Sequence, residues 1–303
     1  MDTARADLVD PAMLASIGGL EIVARWVVEG FITGLHRSPR RGFSVEFAEH
    51  RPYQPGDDLR YLDWRIAARA DRWVVKQFEE ETNLRATIVL DVSRSMAWSG
   101  GTTTVAGTPR LTKLAYAEQL VAALSLLFLR QRDAVGLIRF DERVRTVVPP
   151  RARHGQWRRL LSSLAEHGAG SASKAGDALA SAARLVRRAG MVILISDLLV
   201  DAEEVEQAVR GLRAAGHDVT VLHLFDPAER DLDLASGEAV FVDPESGDTV
   251  PAVVADVRDA YRATVESAVA DWRTRFARVG ARYTTVVTDS PFSVPLRHAF
   301  TNH

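Results

Sequence analysis

Two stretches of this chain run apolar for the length of a strand and then end abruptly in oxygen-bearing side chains. The first is Thr87-Ile88-Val89-Leu90, which breaks into Asp91-Val92-Ser93-Arg94-Ser95. The second is Met191-Val192-Ile193-Leu194-Ile195, which stops at Ser196-Asp197. A continuous β-branched run offers no polar face to water, so it reads as a strand covered on both sides, as in a parallel sheet between helices. The chain is thereby confined to α/β architectures. The polar residues that close each run fall at the carboxyl ends of strands, where open α/β sheets hold ligands.

From Leu84 onward strand and helix patterns alternate. Strand Arg85–Asp91 leads through a Gly/Thr-rich loop to a helix at Leu111–Gln131, then strand Ala134–Asp141 and an edge strand Val144–Pro149. Helices at Gln156–Glu166 and Ala175–Arg188 precede strand Met191–Ser196, and a helix at Ala202–Ala215 precedes strand Asp218–Asp226. Val240–Asp243 and Asp248–Pro251 read as a hairpin, followed by a long helix at Ala255–Val279 and a last strand at Arg282–Thr288. Such βαβ units have right-handed crossovers and build a doubly wound, mostly parallel sheet.

The residues ahead of Leu84 are patterned differently. Leu20, Val23, Ala24, Val27 and Phe31 recur at helical spacing, the basic turn Arg37–Arg41 follows, and Phe43–Glu49 alternates like a half-buried strand. Pro52, Pro55 and Gly56 mark a turn, and Trp73–Phe78 brings the chain back as another strand. Tyr53, Trp64 and Trp73 read as core or seam aromatics, and Arg51, Arg60 and Arg65 with Asp57, Asp58 and Asp63 as an ion-paired seam. The expected division is an amino-terminal extension at 1–83 and a sheet domain at 84–303, with a hairpin inserted at 239–251.

Composition narrows the function. No cysteine is present among the 303 residues, which removes disulfides, zinc–thiolate sites and thiol catalysis together. A formal net charge of -2 does not fit a general nucleic-acid binder, and Arg37–Arg41 is too short to change that. The first residues lack a basic end followed by an apolar stretch, so no secretory signal is expected. The longest apolar run, Leu120–Leu129, is well short of the roughly 20 residues that span a bilayer and reads as a buried helix. A soluble, cytoplasmic protein is the expectation.

The polar strand ends carry the chemistry. Hydroxyls two residues apart in an extended loop face the same way, so Ser93 and Ser95 can address one ion, with Asp91 ligating directly or through water. Asp197 completes the set if its strand lies beside the first. Oxygen donors without His or Cys suit a hard divalent cation, Mg²⁺ before Zn²⁺, with Mn²⁺ and Ca²⁺ as alternatives. Short Ser/Asp clusters also serve as turn and helix caps, and the second strand ending in Asp197 is what favours a metal. Few protein carboxylates would leave the ion open to an acidic side chain from a partner. His50, His154, His167, His217 and His223 have no paired ligand spacing. Asp141, also at a strand end, is read as a turn residue.

Asp91-x-Ser93-x-Ser95 resembles the first element of the metal-ion-dependent adhesion site of von Willebrand factor type A domains. The segment Val45–Arg60 with Asp63-Trp64-Arg65, together with Ile195-Ser196-Asp197-Leu198-Leu199, resembles the bacterial domain-of-unknown-function family 58. That resemblance implies a von Willebrand A-like domain with an amino-terminal extension, acting as an adaptor or chaperone-like partner of a MoxR-type AAA+ ATPase. It also implies a third, threonine-bearing element before the helix that carries Ala178-Leu179. Counting back puts Ser173-Lys174 there, with Ser171 as the alternative, and Lys174 would oppose a cation by simple repulsion.

The expected function is a non-catalytic, metal-dependent protein-interaction module with Mg²⁺ at Asp91, Ser93, Ser95, Ser173 and Asp197. Two alternatives stand beside it. One is Mg²⁺-dependent phosphoryl transfer with Asp91 as nucleophile, although Ser93 stands where a second acid would be wanted. The other is a scaffold with a degenerate metal site. The loop 100–108 lacks the Gly-Lys-Ser/Thr ending of a P-loop, which argues against nucleotide binding.

Overall fold

In the computed structural model the described residues are 19–25, 27–28, 45–54, 62, 64, 66, 69, 73–80, 84–100, 111–153, 155–166, 175–232, 234, 237–242, 247–293 and 295. The chain divides into two compact units, Arg37–Leu84 and a larger one made of Met1–His36 with Arg85–His303.

The smaller unit contains strands β1 (Val45–Pro52) and β2 (Val74–Glu80), paired antiparallel with a register shift between Phe47 and Glu49. Leu62 bridges to Val75, and both are buried. Trp73 stands 6.1 Å from Tyr53 and 6.5 Å from Trp64, ring centre to ring centre. Trp64 and Trp73 are exposed, which rules out the core half of the core-or-seam expectation for them. The proposed arginine–aspartate seam lies outside the described residues, apart from the backbone of Arg51, as does the basic turn Arg37–Arg41.

The larger unit is built on strands β3 (Arg85–Asp91), β4 (Ala134–Phe140), β5 (Val144–Arg151), β6 (Met191–Ser196), β7 (Asp218–Phe225) and β10 (Arg282–Val287). Their order across the sheet is β10-β7-β6-β3-β4-β5, and only the edge strand β5 runs antiparallel. Helices α1 (Lys113–Arg130), α2 (Gln156–Ala165), α3 (Ala175–Leu185), α4 (Ala202–Ala214), α5 (Pro227–Asp231) and α6 (Val254–Arg278) connect them. The antiparallel hairpin β8 (Glu238–Val242) and β9 (Thr249–Val253) lies between α5 and α6. This is the doubly wound, mostly parallel α/β sheet that the alternating pattern implies.

Alternation along the strands divides the core into two layers. Val89, Ile138, Phe140, Val192 and Leu194 face one side, where they meet Leu179 of α3, Val205 and Val209 of α4, and Trp272 and Phe276 of α6. Trp272 stacks on Phe276 at 5.2 Å, and Phe276 on Tyr283 at 5.4 Å. Helices α1 and α2 pack together and against β3, β4 and β5. Leu120, Leu124 and Phe128 of the apolar run in α1 are buried, and no described helix is long and apolar enough to cross a membrane. Fully burying each such large side chain contributes about 1.5–3 kcal/mol.

Strand order decides where the site falls. The chain leaves β3 for β4 on one side and later returns through β6 on the other. The carboxyl ends of β3 and β6 therefore flank the sheet's reversal point, with Leu90 in register with Ile195.

Candidate functional site

Asp91 is the last residue of β3, and Asp197 follows the last residue of β6. Both are buried, as are Ser93 and Ser95. Val92 N–H donates to the Phe140 carbonyl at 2.8 Å, which carries the sheet pairing one residue past the strand. Ser93 then starts a 3-10 turn over Arg94–Ala97, which buries Ser95 and Met96 and turns Arg94 outward. The two seryl oxygens end up 3.1 Å apart. On the β6 side, Leu198 takes a left-handed backbone with φ of 53°, a conformation that branched side chains rarely adopt. That turn keeps Leu198 in the core while Asp197 stays at the sheet end.

The hydrogen bonds give each carboxylate a different role. Asp91 Oδ1 accepts from Ser93 N–H at 2.8 Å, and Oδ2 accepts from the Ser196 hydroxyl at 2.6 Å. Ser196 Oγ is oriented in turn by Leu198 N–H at 2.9 Å. Among the described residues no cation pairs with Asp91. Burial and the nearby charge of Asp197 push its carboxyl up to about 6, against weaker opposing help from its hydrogen-bond donors. Asp197 by contrast has a counter-ion inside the chain. The Lys113 ammonium donates to its Oδ2 at 2.8 Å and to Glu229 Oε1 of α5 at 2.6 Å, with the lysine side chain wholly buried. Asp197 Oδ1 accepts from Leu199 N–H at 3.3 Å.

His223 of β7 underpins this corner. Its Nε2 faces the Asp197 carbonyl at 2.9 Å, which can only accept, so Nε2 carries the proton. Nδ1 then accepts from the Tyr283 hydroxyl at 2.7 Å. Burial drives the imidazole down to about 4, so it is neutral at pH 7 and serves to orient rather than to charge the site.

Mg²⁺ takes oxygen ligands at about 2.0–2.1 Å in an octahedron, so neighbouring donors stand about 2.9 Å apart. The seryl pair at 3.1 Å fits one edge of such a shell. Among the described residues Asp91 supplies an anionic oxygen with no cation beside it, and the carboxylates of Asp91, Asp197 and Glu229 outnumber the one ammonium, which favours a cation. Among the described residues no three His, Asp or Glu side chains converge as metal ligands. Mg²⁺ keeps several waters and needs fewer protein oxygens than Ca²⁺, which wants six to eight. The donor chemistry at Asp91, Ser93 and Ser95 is therefore compatible with the ion, while Asp197 is already shared with Lys113.

Of the five residues expected from sequence, Asp91, Ser93, Ser95 and Asp197 come together at the β3 and β6 ends. Ser173 lies outside the described residues, as do its alternative Ser171 and the opposing Lys174. Asp141 behaves as a turn residue, accepting from Arg143 N–H and pairing with Arg145 at 2.6 Å. Sequence reasoning missed Ser196 as the donor to Asp91, and it missed Lys113, Glu229 and His223. For Lys113 a signal existed. Thr112 caps α1 by accepting from Ala115 N–H at 3.0 Å, which puts a cation in the first turn, the end where the helix dipole repels it.

The profile of the family described as "Protein of unknown function DUF58" matches residues 49–275. The uncharacterized protein Rv1480 of Mycobacterium tuberculosis (strain ATCC 25618 / H37Rv) is 31% identical over 249 residues, covering 80% of this chain and 74% of the relative. The uncharacterized protein Mb1516 of Mycobacterium bovis (strain ATCC BAA-935 / AF2122/97) matches over the same shares at the same identity. Among solved structures, the conserved hypothetical protein BatB from Bacteroides thetaiotaomicron aligns with a TM-score of 0.43 at 18% identity, over 71% of this chain and 96% of that one. The SpRpn10 VWA domain aligns with a TM-score of 0.39 at 11% identity, over 71% of this chain and 94% of that one.

Proposed function

We propose that this chain, which belongs to the family described as "Protein of unknown function DUF58", is a non-catalytic protein-interaction module that binds a partner through Mg²⁺. The observation that carries the reading is the buried pair of seryl hydroxyls, 3.1 Å apart, beside a carboxylate that pairs with no cation among the described residues. Asp91, Ser93 and Ser95 would hold the ion, Asp197 would help from beside it, and Ser173, two residues ahead of α3 in the chain, would add a hydroxyl. A bound Mg²⁺ supplies an electrophilic centre with exchangeable positions, which an acidic side chain of another protein can fill.

The resemblance to families of this type makes a MoxR-type AAA+ ATPase the partner to test first. A phosphoryl-transfer reading is less well supported, because both Asp91 oxygens accept hydrogen bonds within 2.8 Å and are poorly placed to act as a nucleophile. One observation favours a degenerate scaffold instead, namely that Asp197 already pairs with Lys113.

Isothermal titration with Mg²⁺ and Mn²⁺ separates these readings. Saturable heat with the wild type that disappears in Asp91→Ala is the expected result. Absence of heat in the wild type, or heat unchanged by Asp91→Ala, would remove the ion from the account. A pull-down of the MoxR-type ATPase with and without chelator then asks whether capture needs the ion.

A further inference from the structure

Lys113 stands where a cation site would least favour it. It occupies the first turn of α1, where the amino-terminal end of the helix dipole already presents positive charge, and its side chain has no exposure to water. Among the described residues two carboxylates hold the ammonium there, Asp197 at 2.8 Å and Glu229 at 2.6 Å. Asp197 thus spends an oxygen on a charge that the chain itself supplies. Asp91 is held by neutral donors among the described residues.

We propose that Lys113 is a tethered counter-ion that competes with a divalent cation for Asp197 and so lowers the affinity of the Asp91–Ser93–Ser95 site. The inference rests on the metal reading above and assigns its regulation. An ion arriving beside Asp91 meets one uncompensated carboxylate, while the ammonium behind Asp197 repels it. The metal alone is then held weakly, and a carboxylate brought by a partner supplies the missing negative charge. Ion and partner bind together, each raising the affinity for the other.

Glu229 provides the ammonium with a second seat. When the ion draws on Asp197, the hydrogen bond to Glu229 remains, so the lysine stays buried and paired. Glu229 belongs to α5, whose cap is closed by Asp226 accepting from Ala228 N–H and by Glu229 accepting from Asp226 N–H. The Glu229 carbonyl accepts from the Tyr261 hydroxyl of α6 at 2.6 Å. The pair Asp197–Glu229 therefore joins the rim of the sheet to the start of the long helix.

The test compares the wild type, Glu229→Gln, and the double variant Lys113→Met/Glu229→Gln by titration with Mg²⁺ and with Mn²⁺, each chain being checked by thermal melting. Lys113→Met alone leaves the buried Asp197 and the half-buried Glu229 unpaired and risks unfolding, so the double variant carries the argument. Gln at 229 can still accept from Asp226 N–H. It no longer shares the ammonium, which settles on Asp197, and the ion should bind about threefold more weakly. The double variant frees Asp197 and should bind about tenfold more tightly than the wild type. Equal affinities in all three chains, or a loss in both variants, would overturn the role of Lys113 and leave the metal site standing. Absence of binding in every chain would overturn the metal reading and this inference with it.

Discussion

Replacing Asp91 with Asn should make the metal-free protein more stable at neutral pH, although it removes a residue of the candidate site. The folded protein raises this carboxyl from 3.8 to about 6, chiefly by burial and then by the charge of Asp197. Keeping it ionised in place then costs about 3 kcal/mol relative to the unfolded chain at pH 8. The amide escapes that cost. It loses part of two charge-assisted hydrogen bonds, from Ser93 N–H and the Ser196 hydroxyl, worth about 1 kcal/mol together beyond neutral ones. A net gain of about 1–2 kcal/mol corresponds to a melting temperature higher by roughly 2–8 °C in a domain of this size.

The sign with pH follows. A carboxyl raised in the folded state gives its relative stability below the unfolded pKa of 3.8 and loses it as pH rises through about 6. The advantage of Asp91→Asn should therefore be full at pH 8 and shrink steadily towards pH 4. His223 acts in the opposite direction, because its depressed pKa of about 4 withdraws stability as pH falls below 6.5. It is present in both proteins, so the difference between their melting curves cancels it. Melting by differential scanning fluorimetry from pH 8 to pH 4.5, in chelator, reads the effect. Asp91→Asn melting below the wild type at pH 8, or a difference that ignores pH, would refute the idea that Asp91 is held at a cost. Added Mg²⁺ should raise the wild type alone.

Three other perturbations follow from the packing, each read as a urea midpoint at pH 7. A Cβ at Gly190 would stand 2.3 Å from the backbone carbonyl oxygen of Arg85, so Gly190→Ala should cost about 1–3 kcal/mol as β6 is forced away from the start of β3. Tyr283→Phe removes the hydroxyl that donates to His223 Nδ1 and should cost about 1–3 kcal/mol by leaving a buried acceptor without a partner. Phe276→Ala opens the stacked cluster with Trp272 and Tyr283 and should cost about 3–5 kcal/mol, enough to mark α6 as part of the sheet's core.

Strands and helices of the sheet domain were legible because their signals are local. Met191–Ser196 coincides with its apolar run, and the helices Gln156–Ala165, Ala202–Ala214 and Val254–Arg278 fall within one residue of the expected bounds. Burial on both faces dictates an unbroken apolar run in a strand, and amphipathic spacing dictates a helix, so each element carries its own evidence. The short helix Pro227–Asp231 escaped notice because five residues are too few to show a period. Trp64 and Trp73 misled for a related reason, since size indicates burial on average and says nothing about which face a neighbour covers.

The candidate site divides along the same line. Asp91, Ser93 and Ser95 are neighbours in the chain, and the sequence alone determined that their oxygens cluster after a buried strand. Tertiary structure alone decided what surrounds them. Lys113 reaches Asp197 from 84 residues away and Glu229 from 116, and Ser196 reaches Asp91 from 105. Those meetings depend on β6 lying against β3 and on α5 following the neighbouring strand β7. Strand order is set by the packing of whole layers, and no residue type at any single position encodes it. A charge buried in that packing must find an opposite charge wherever the topology brings one, and here it brought an ammonium to the rim of the candidate site.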